Sequence, residues 1–168
     1  MGRFKFLLIV LVFVLPFIFA KHLFDNDVTT KRGTTNHGTF LANDINIKNL
    51  QDNNHWVILQ VIDNTCDPLC QDNMYMLRQI NTALGKDMDR VKRYLLGYNT
   101  QKNIVNIEKY PKLIVLDKSE TLYNSLTKMD ERIFIADPFG KIILGYDNDF
   151  VAKGLLKDLK KLLKFSRR

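Results

Sequence analysis

The run WVILQVI, from Trp56 to Ile62, constrains this chain most: it is apolar and largely β-branched, and then gives way to a different pattern. Such a run reads as a buried strand. The chain's two cysteines, Cys66 and Cys70, follow in TCDPLC. From Pro68 onward the spacing is helical, with Leu69, Asn73, Met76, Leu77, Ile80, Ala83 and Leu84 on the face expected to be buried. A helix is predicted from Pro68 to about Gly85, which is a plausible stop. A strand therefore hands two thiols to a helix start.

The remaining sequence frames that junction. Arg90 to Leu96 reads as a strand, 99–103 as a polar turn, 104–108 as a short helix or irregular piece, and KLIVLD (Lys112 to Asp117) as a short buried strand. Ser119 is placed to cap a helix running to about Thr127. ERIFIAD and KIILGY, separated by Pro138, Phe139 and Gly140, form a hairpin. Phe150 to about Phe165 is a last helix with Val151, Leu155, Leu156, Leu159, Leu162 and Leu163 along one side. Strand, helix, strand, strand, helix, hairpin, helix implies an α/β fold, a mixed sheet with helices on both faces. With a strand leading directly into a paired-cysteine helix start, this is a thioredoxin-like arrangement.

Ahead of the domain, the basic residues Arg3 and Lys5 precede FLLIVLVFVLPFIFA, Phe6 to Ala20, which has no charge. A spanning helix takes about 20 residues. Lys5 and Lys21 can snorkel, and Phe4, Leu23 and Phe24 extend the apolar length. A cleaved signal peptide has an apolar region of similar length, but Ile18 and Ala20 do not make an A-x-A site. The organisation expected is a transmembrane anchor over 1–24, a polar tether and leading segment over 25–54, and a thioredoxin-like domain over 55–168. One N-terminal segment in front of such a domain usually exports it. Lys21, Lys31 and Arg32 follow the segment much as Arg3 and Lys5 precede it, so flanking charge does not set the orientation.

The net charge of +7 would indicate an anionic partner if it were spread evenly. Instead, Lys153, Lys157, Lys160, Lys161, Lys164, Arg167 and Arg168 stand against Asp158 alone, so most of the excess lies in the last helix and tail. That argues against a nucleic-acid-binding domain. The lysines read as the solvated outer face of a core-packed helix in preference to a lipid-binding face. His37, in TTNHGTFL, reads as a turn residue and His55 as a strand-edge residue, in preference to metal ligands. Pro111 reads as a strand-opening proline rather than the proline that thioredoxins set beside their redox pair.

A helix N-terminus presents unpaired N–H groups and partial positive charge, which favour a thiolate. Either Thr65 or Asp67 can cap this helix, and Pro68 falls in its first positions, where the missing N–H costs nothing. Asp67 opposes thiolate formation, and no Lys or Arg lies beside the motif in sequence, so activation is expected to be modest. Three residues separate the cysteines, one more than in the common C-x-x-C redox motif. If both were helical, their sulfurs would lie about one turn apart, where a disulfide needs local adjustment but two thiolates can face one soft ion such as Cu(I). Met74 is either a core methionine, the favoured reading, or a thioether on the same side.

Thr65, Cys66 and Cys70 after a strand, behind an N-terminal anchor, resemble the Sco/SenC proteins, membrane-anchored thioredoxin-fold factors that help metallate the copper site of cytochrome c oxidase. The resemblance runs from about Trp56 to the C-terminus and includes DPFGKIIL, Asp137 to Leu144. It is closer to small Sco-like membrane proteins of bacterial oxidase gene neighbourhoods, through TTNHG at Thr34 to Gly38, RQINTALGKDMDRV at Arg78 to Val91, and GLLKDLKKLL near the end. It implies Cys66 and Cys70 as redox and metal-binding residues, Cu(I) as cargo, and a copper-bearing oxidase subunit or another thiol protein as partner. The family's site adds a histidine just before the penultimate strand; near Lys128 to Arg132 this chain has Met129, Asp130 and Glu131 instead. Three functions stay open: a copper-handling or thiol-reducing assembly factor, a general exported thiol-disulfide oxidoreductase, and an anchored interaction domain with a structural disulfide.

Overall fold

The computed structural model describes residues 2–25, 35–41, 45–48, 54–63, 66–97, 107–116 and 120–166. They fall into two units, Met1–Thr35 and Asn36–Arg168. In the first, α1 (Gly2–Asp25) is a 24-residue helix with Pro16 inside it. Leu11 to Leu15 and Phe17 to Phe19 are all exposed, and neighbours on a helix point about 100° apart, so α1 is apolar on every side along this stretch. Over its described side chains alone, α1 does not reach the length of apolar helix that a membrane crossing requires.

The second unit is built on a 6-stranded sheet in the order β1-β6-β5-β2-β3-β4. Its strands are β1 (Thr39–Phe40), β2 (Trp56–Ile62), β3 (Val91–Gly97), β4 (Leu113–Leu116), β5 (Ile133–Ala136) and β6 (Ile142–Tyr146). The helices are α2 (Pro68–Ala83), α3 (Glu120–Leu126) and α4 (Ala152–Phe165). β2, β3 and β4 run parallel, whereas β5 pairs antiparallel with β2 and forms the expected hairpin with β6. Every residue of β2 is buried. Successive strand side chains point to opposite faces: Trp56 and Ile58 pack with Leu77 and Ile80 of α2 and Leu155 and Leu159 of α4, while Val57, Leu59 and Val61 pack with Leu122 and Leu126 of α3. The mixed sheet with helices on both faces is therefore present.

Two expectations change and the helix stop holds. The buried face of α2 is Cys70, Asn73, Met74, Leu77, Ile80 and Asn81, whereas Leu69 is exposed; the face is turned so that the second cysteine points inward. Gly85 is the stop as expected: α2 ends at Ala83 with Leu84 as its C-cap, and Gly85, at φ +59°, follows and starts a 3-10 turn (Gly85–Arg90) that Asn81 fastens by donating to Met88 O and Val91 O. KLIVLD is not a buried strand: β4 lies at the end of the sheet order and Leu116 is its buried residue. The 99–103 turn, Ser119 and Thr65 lie outside the described residues.

The leading segment contributes a strand that its polar sequence did not announce. β1 pairs with β6, Thr39 opposite Gly145, Asn46 bridges to Lys141, and Ile47 is buried. A carboxylate holds the segment down. Asp158, 1% exposed on α4, accepts from His37 N (2.6 Å), Gly38 N (3.1 Å) and Tyr146 Oη (2.9 Å). The His37 ring lies so close to Gly154 that a Cβ there would stand 2.8 Å from it. His37 is thus a turn residue tied to α4.

Burial alone would raise the Asp158 carboxyl, but the N–H groups of Gly38 and His37, the His37 ring and the Tyr146 hydroxyl outweigh it and hold it below the usual carboxylate range. Burial, followed by the Asp158 charge, pushes the Tyr146 hydroxyl up, so it stays a donor. A carboxyl lowered on folding stabilises the fold above its unfolded value, about pH 4, and that contribution is lost as pH falls through the lower folded value. Asp158→Asn should therefore cost about 2–3 kcal/mol in urea unfolding at pH 7, with the gap to the parent closing below about pH 4. Equal stability at pH 7 would show that the carboxylate does not hold the segment.

Candidate functional site

The two cysteines straddle the start of α2. Asp67 is the N-cap, its extended backbone leading into Pro68, and its Oδ1 accepts from Cys70 N at 2.7 Å. Cys66 therefore precedes the cap and Cys70 sits three residues after it. That corrects the premise that both are helical: Cys66 is free of the helix, and the pair closes as a disulfide with the Cα atoms 5.2 Å apart, within the ordinary span of such a bond. The chain entering the helix supplies the adjustment that consecutive turns would have required.

The two sulfurs have different surroundings. Cys70 lines a small polar pocket with Gln60, Asp63, Asp67, Arg132 and Asn148. Gln60, 3% exposed near the end of β2, directs its Nε2 to Cys70 O at 3.2 Å and lies 3.6 Å from Cys70 Sγ. An N–H aimed at sulfur favours the thiolate form. Arg132 arrives from the loop before β5, its guanidinium also donating to Met129 O and Glu131 O. Sequence neighbours alone left the motif without a cation; the fold brings one to the pocket, where it opposes the charges of Asp63 and Asp67. Both cysteines pack with Ile62, Met74 and Leu95; only Cys66 has Met74 Sδ 3.7 Å from its Sγ, and only Cys70 also lines the pocket. Both cysteines are nearly buried, at 9% and 8% exposure.

The other candidates separate. His55 stands at the opposite end of β2, about 20 Å of strand from the cysteines; its Nδ1 is buried without a partner. His37 belongs to the Asp158 clasp. Among the described residues no group of three or more His, Cys, Asp and Glu side chains is placed to hold a metal. In the loop at the position of the family's histidine, Met129 packs against the core cluster under α3 and Arg132 lines the pocket. Pro111 opens β4, two strands from β2, and its carbonyl accepts from Arg93 at 2.6 Å. Burial first, then the nearby Arg78, lowers that guanidinium from its usual value. Sequence reasoning missed Gln60, Arg132 and Asn148. Only Gln60 carried a signal, a lone amide inside an apolar strand.

A donor set of two cysteine sulfurs with a thioether beside them is soft and suits Cu(I) rather than a harder ion that needs nitrogen or oxygen ligands.

Solved structures of Sco proteins and of a peroxiredoxin share this fold. Apo Sco1 of Thermus thermophilus matches with 17% identity and a TM-score of 0.57, over 78% of this chain and 99% of that one. ScoI of Arabidopsis thaliana, solved with copper bound, matches with 17% identity and a TM-score of 0.54, over 70% and 88%. A yeast mitochondrial 1-Cys peroxiredoxin also matches, at 16% identity and a TM-score of 0.51, over 68% and 67%. At these identities the likeness is one of fold. No curated protein gives a significant match. A family model described as the transmembrane-like, thioredoxin-like, C-terminal domain matches residues 56–166, which takes in the whole sheet from β2, both cysteines and α4. The chain belongs to that family.

Proposed function

We propose that this protein is a membrane-anchored, Sco-like assembly factor for cytochrome c oxidase, in which Cys66 and Cys70 cycle between a disulfide and a dithiol that carries Cu(I) or reduces target cysteines. The observation that carries this reading is the cysteine pair at the capped start of α2 on a thioredoxin-like sheet, both cysteines in one apolar cluster and Cys70 also lining a polar pocket. Copper would be cargo, held by Cys66 and Cys70 once both are deprotonated.

The thiol chemistry follows from that asymmetry. Cys70 is the cysteine that lines the polar pocket and has the Gln60 amide beside its sulfur, so it takes the attacking role. In the reduced protein, the Cys70 thiolate attacks a target disulfide and forms a mixed disulfide, releasing one target thiolate that takes up a proton. The Cys66 thiol then loses its proton and attacks Cys70 Sγ, closing the intramolecular disulfide and releasing the second target thiolate, which is protonated in turn. Two electrons pass to the target, and a donor dithiol must return the pair to its reduced form. Gln60 supports the charge on Cys70 in the attacking state, and Arg132 offsets the carboxylates around the pocket.

The anchor reading rests on α1: 24 residues rise about 36 Å, against a hydrocarbon core of about 30 Å, and the uncharged run from Phe6 to Ala20 lies within it. The domain would then face the periplasm, where a disulfide persists. Full-length protein should remain in the membrane pellet after alkaline carbonate washing, and protein beginning at Asn36 should be released; release of both would exclude the anchor.

The functional test is a titration. Reduced, metal-free protein should retain one Cu(I) against a competing chelator, and Cys66→Ser and Cys70→Ser should each abolish retention; no retention by the parent would remove the copper role. Trapping reports on the thiol branch: Cys66→Ser, which leaves Cys70 free, should accumulate a mixed disulfide with a model disulfide substrate at least tenfold more than Cys70→Ser. The reverse ratio would assign the attacking role to Cys66.

A further inference from the structure

We propose that Met74 is a third sulfur donor to Cu(I), making the site a three-sulfur one; the proposal rests on the Cu(I) reading of the cysteine pair and specifies what completes it. Met74 follows Cys70 by four residues on α2, so their side chains leave the same face one turn apart. It is 3% exposed, and its Sδ is 3.7 Å from Cys66 Sγ. With Cys66 in a disulfide there is no S–H to donate, so this contact is not a hydrogen bond. It is a thioether turned toward a sulfur.

The spacing suits a trigonal ion. Metal–sulfur bonds of about 2.3 Å at 120° set the sulfurs about 4 Å apart, and one such edge is already nearly in place between Met74 and Cys66. Reduction frees the cysteine sulfurs to move apart and open the space between them. Met74, Ile62 and Leu95 surround that space, with Tyr110 and Leu113 packed against them. Such apolar walls exclude water and harder ligands from a Cu(I) ion, which accepts sulfur donors at low coordination number. Neither histidine of the second unit is nearby: His37 is held by Asp158, and β2 separates His55 from the motif. The neutral thioether contributes a bond without adding a negative charge to two thiolates in a buried site. As a core side chain alone, Met74 would be replaceable by leucine, which fills a similar volume.

Met74→Leu is therefore the discriminating substitution. Reduced full-length protein in detergent is titrated with Cu(I) against a chelator, and X-ray absorption at the copper edge counts the neighbours. The parent should show three sulfurs, and Met74→Leu two sulfurs with affinity lowered at least tenfold. Thermal unfolding of metal-free Met74→Leu, expected to be close to the parent, separates loss of a ligand from loss of the fold. Parent protein labelled with selenomethionine gives the same information without substitution, because a copper–selenium shell at bonding distance should appear. Unchanged affinity and sulfur count in Met74→Leu, or no selenium shell in the labelled parent, overturns the role of Met74 and leaves the two-cysteine reading standing. Failure of the parent to retain Cu(I) overturns both.

Discussion

β2 is the strand on which the site depends. It is hydrogen-bonded on both sides, parallel to β3 and antiparallel to β5, and its two faces bury side chains in two separate core layers. Such a strand cannot slip by one residue without moving every side chain to the wrong layer. Register therefore fixes Gln60 at the end of the face that α2 covers, and the same geometry delivers the following residues to the helix start. The burial that stabilises the fold also sets an amide beside Cys70. An unpaired buried amide is expensive, and Gln60 is satisfied through Cys70 O, so the strand and the cysteine turn stabilise one another.

The Asp67 cap creates the second constraint. By holding Cys70 N it fixes where the helix begins and leaves Cys66 outside the helix. A pair separated by three residues can then approach closely without distorting α2. The cap also divides the environments. Met74, Ile62 and Leu95 form one apolar cluster with both cysteines, and the helix start, Gln60 and Arg132 add a polar side at Cys70 alone. A dithiol with unequal partners is suited to transfer, because one sulfur engages the target and the other resolves.

The strand-to-helix junction was legible because two strong periodicities meet there, and the hairpin because Pro138, Phe139 and Gly140 punctuate it. What was not legible depends on contacts distant in sequence. β1 is a two-residue strand in a polar stretch, held by a carboxylate 121 positions away from His37; locally, Asp158 looked like a lone acid among lysines. Arg132 joins the pocket only because β5 pairs beside β2. KLIVLD reads as buried from composition, but burial depends on what lies beyond it, and β4 ends the sheet order. Leu69 looked like a core residue by spacing; the cap turned α2 so that Cys70 and Met74 took the inner face. At the site itself, the two cysteines were readable and their unequal surroundings were not.

The central claim is that Cys66–Cys70 is a working dithiol-disulfide pair rather than a cross-link of the fold. Its reduction potential, measured by equilibrating the domain with thiol buffers of known poise, tests that claim directly. A potential between about −300 and −120 mV, where redox-active dithiols operate, is the expected result. A value below about −300 mV, typical of structural disulfides in exported proteins, would contradict it.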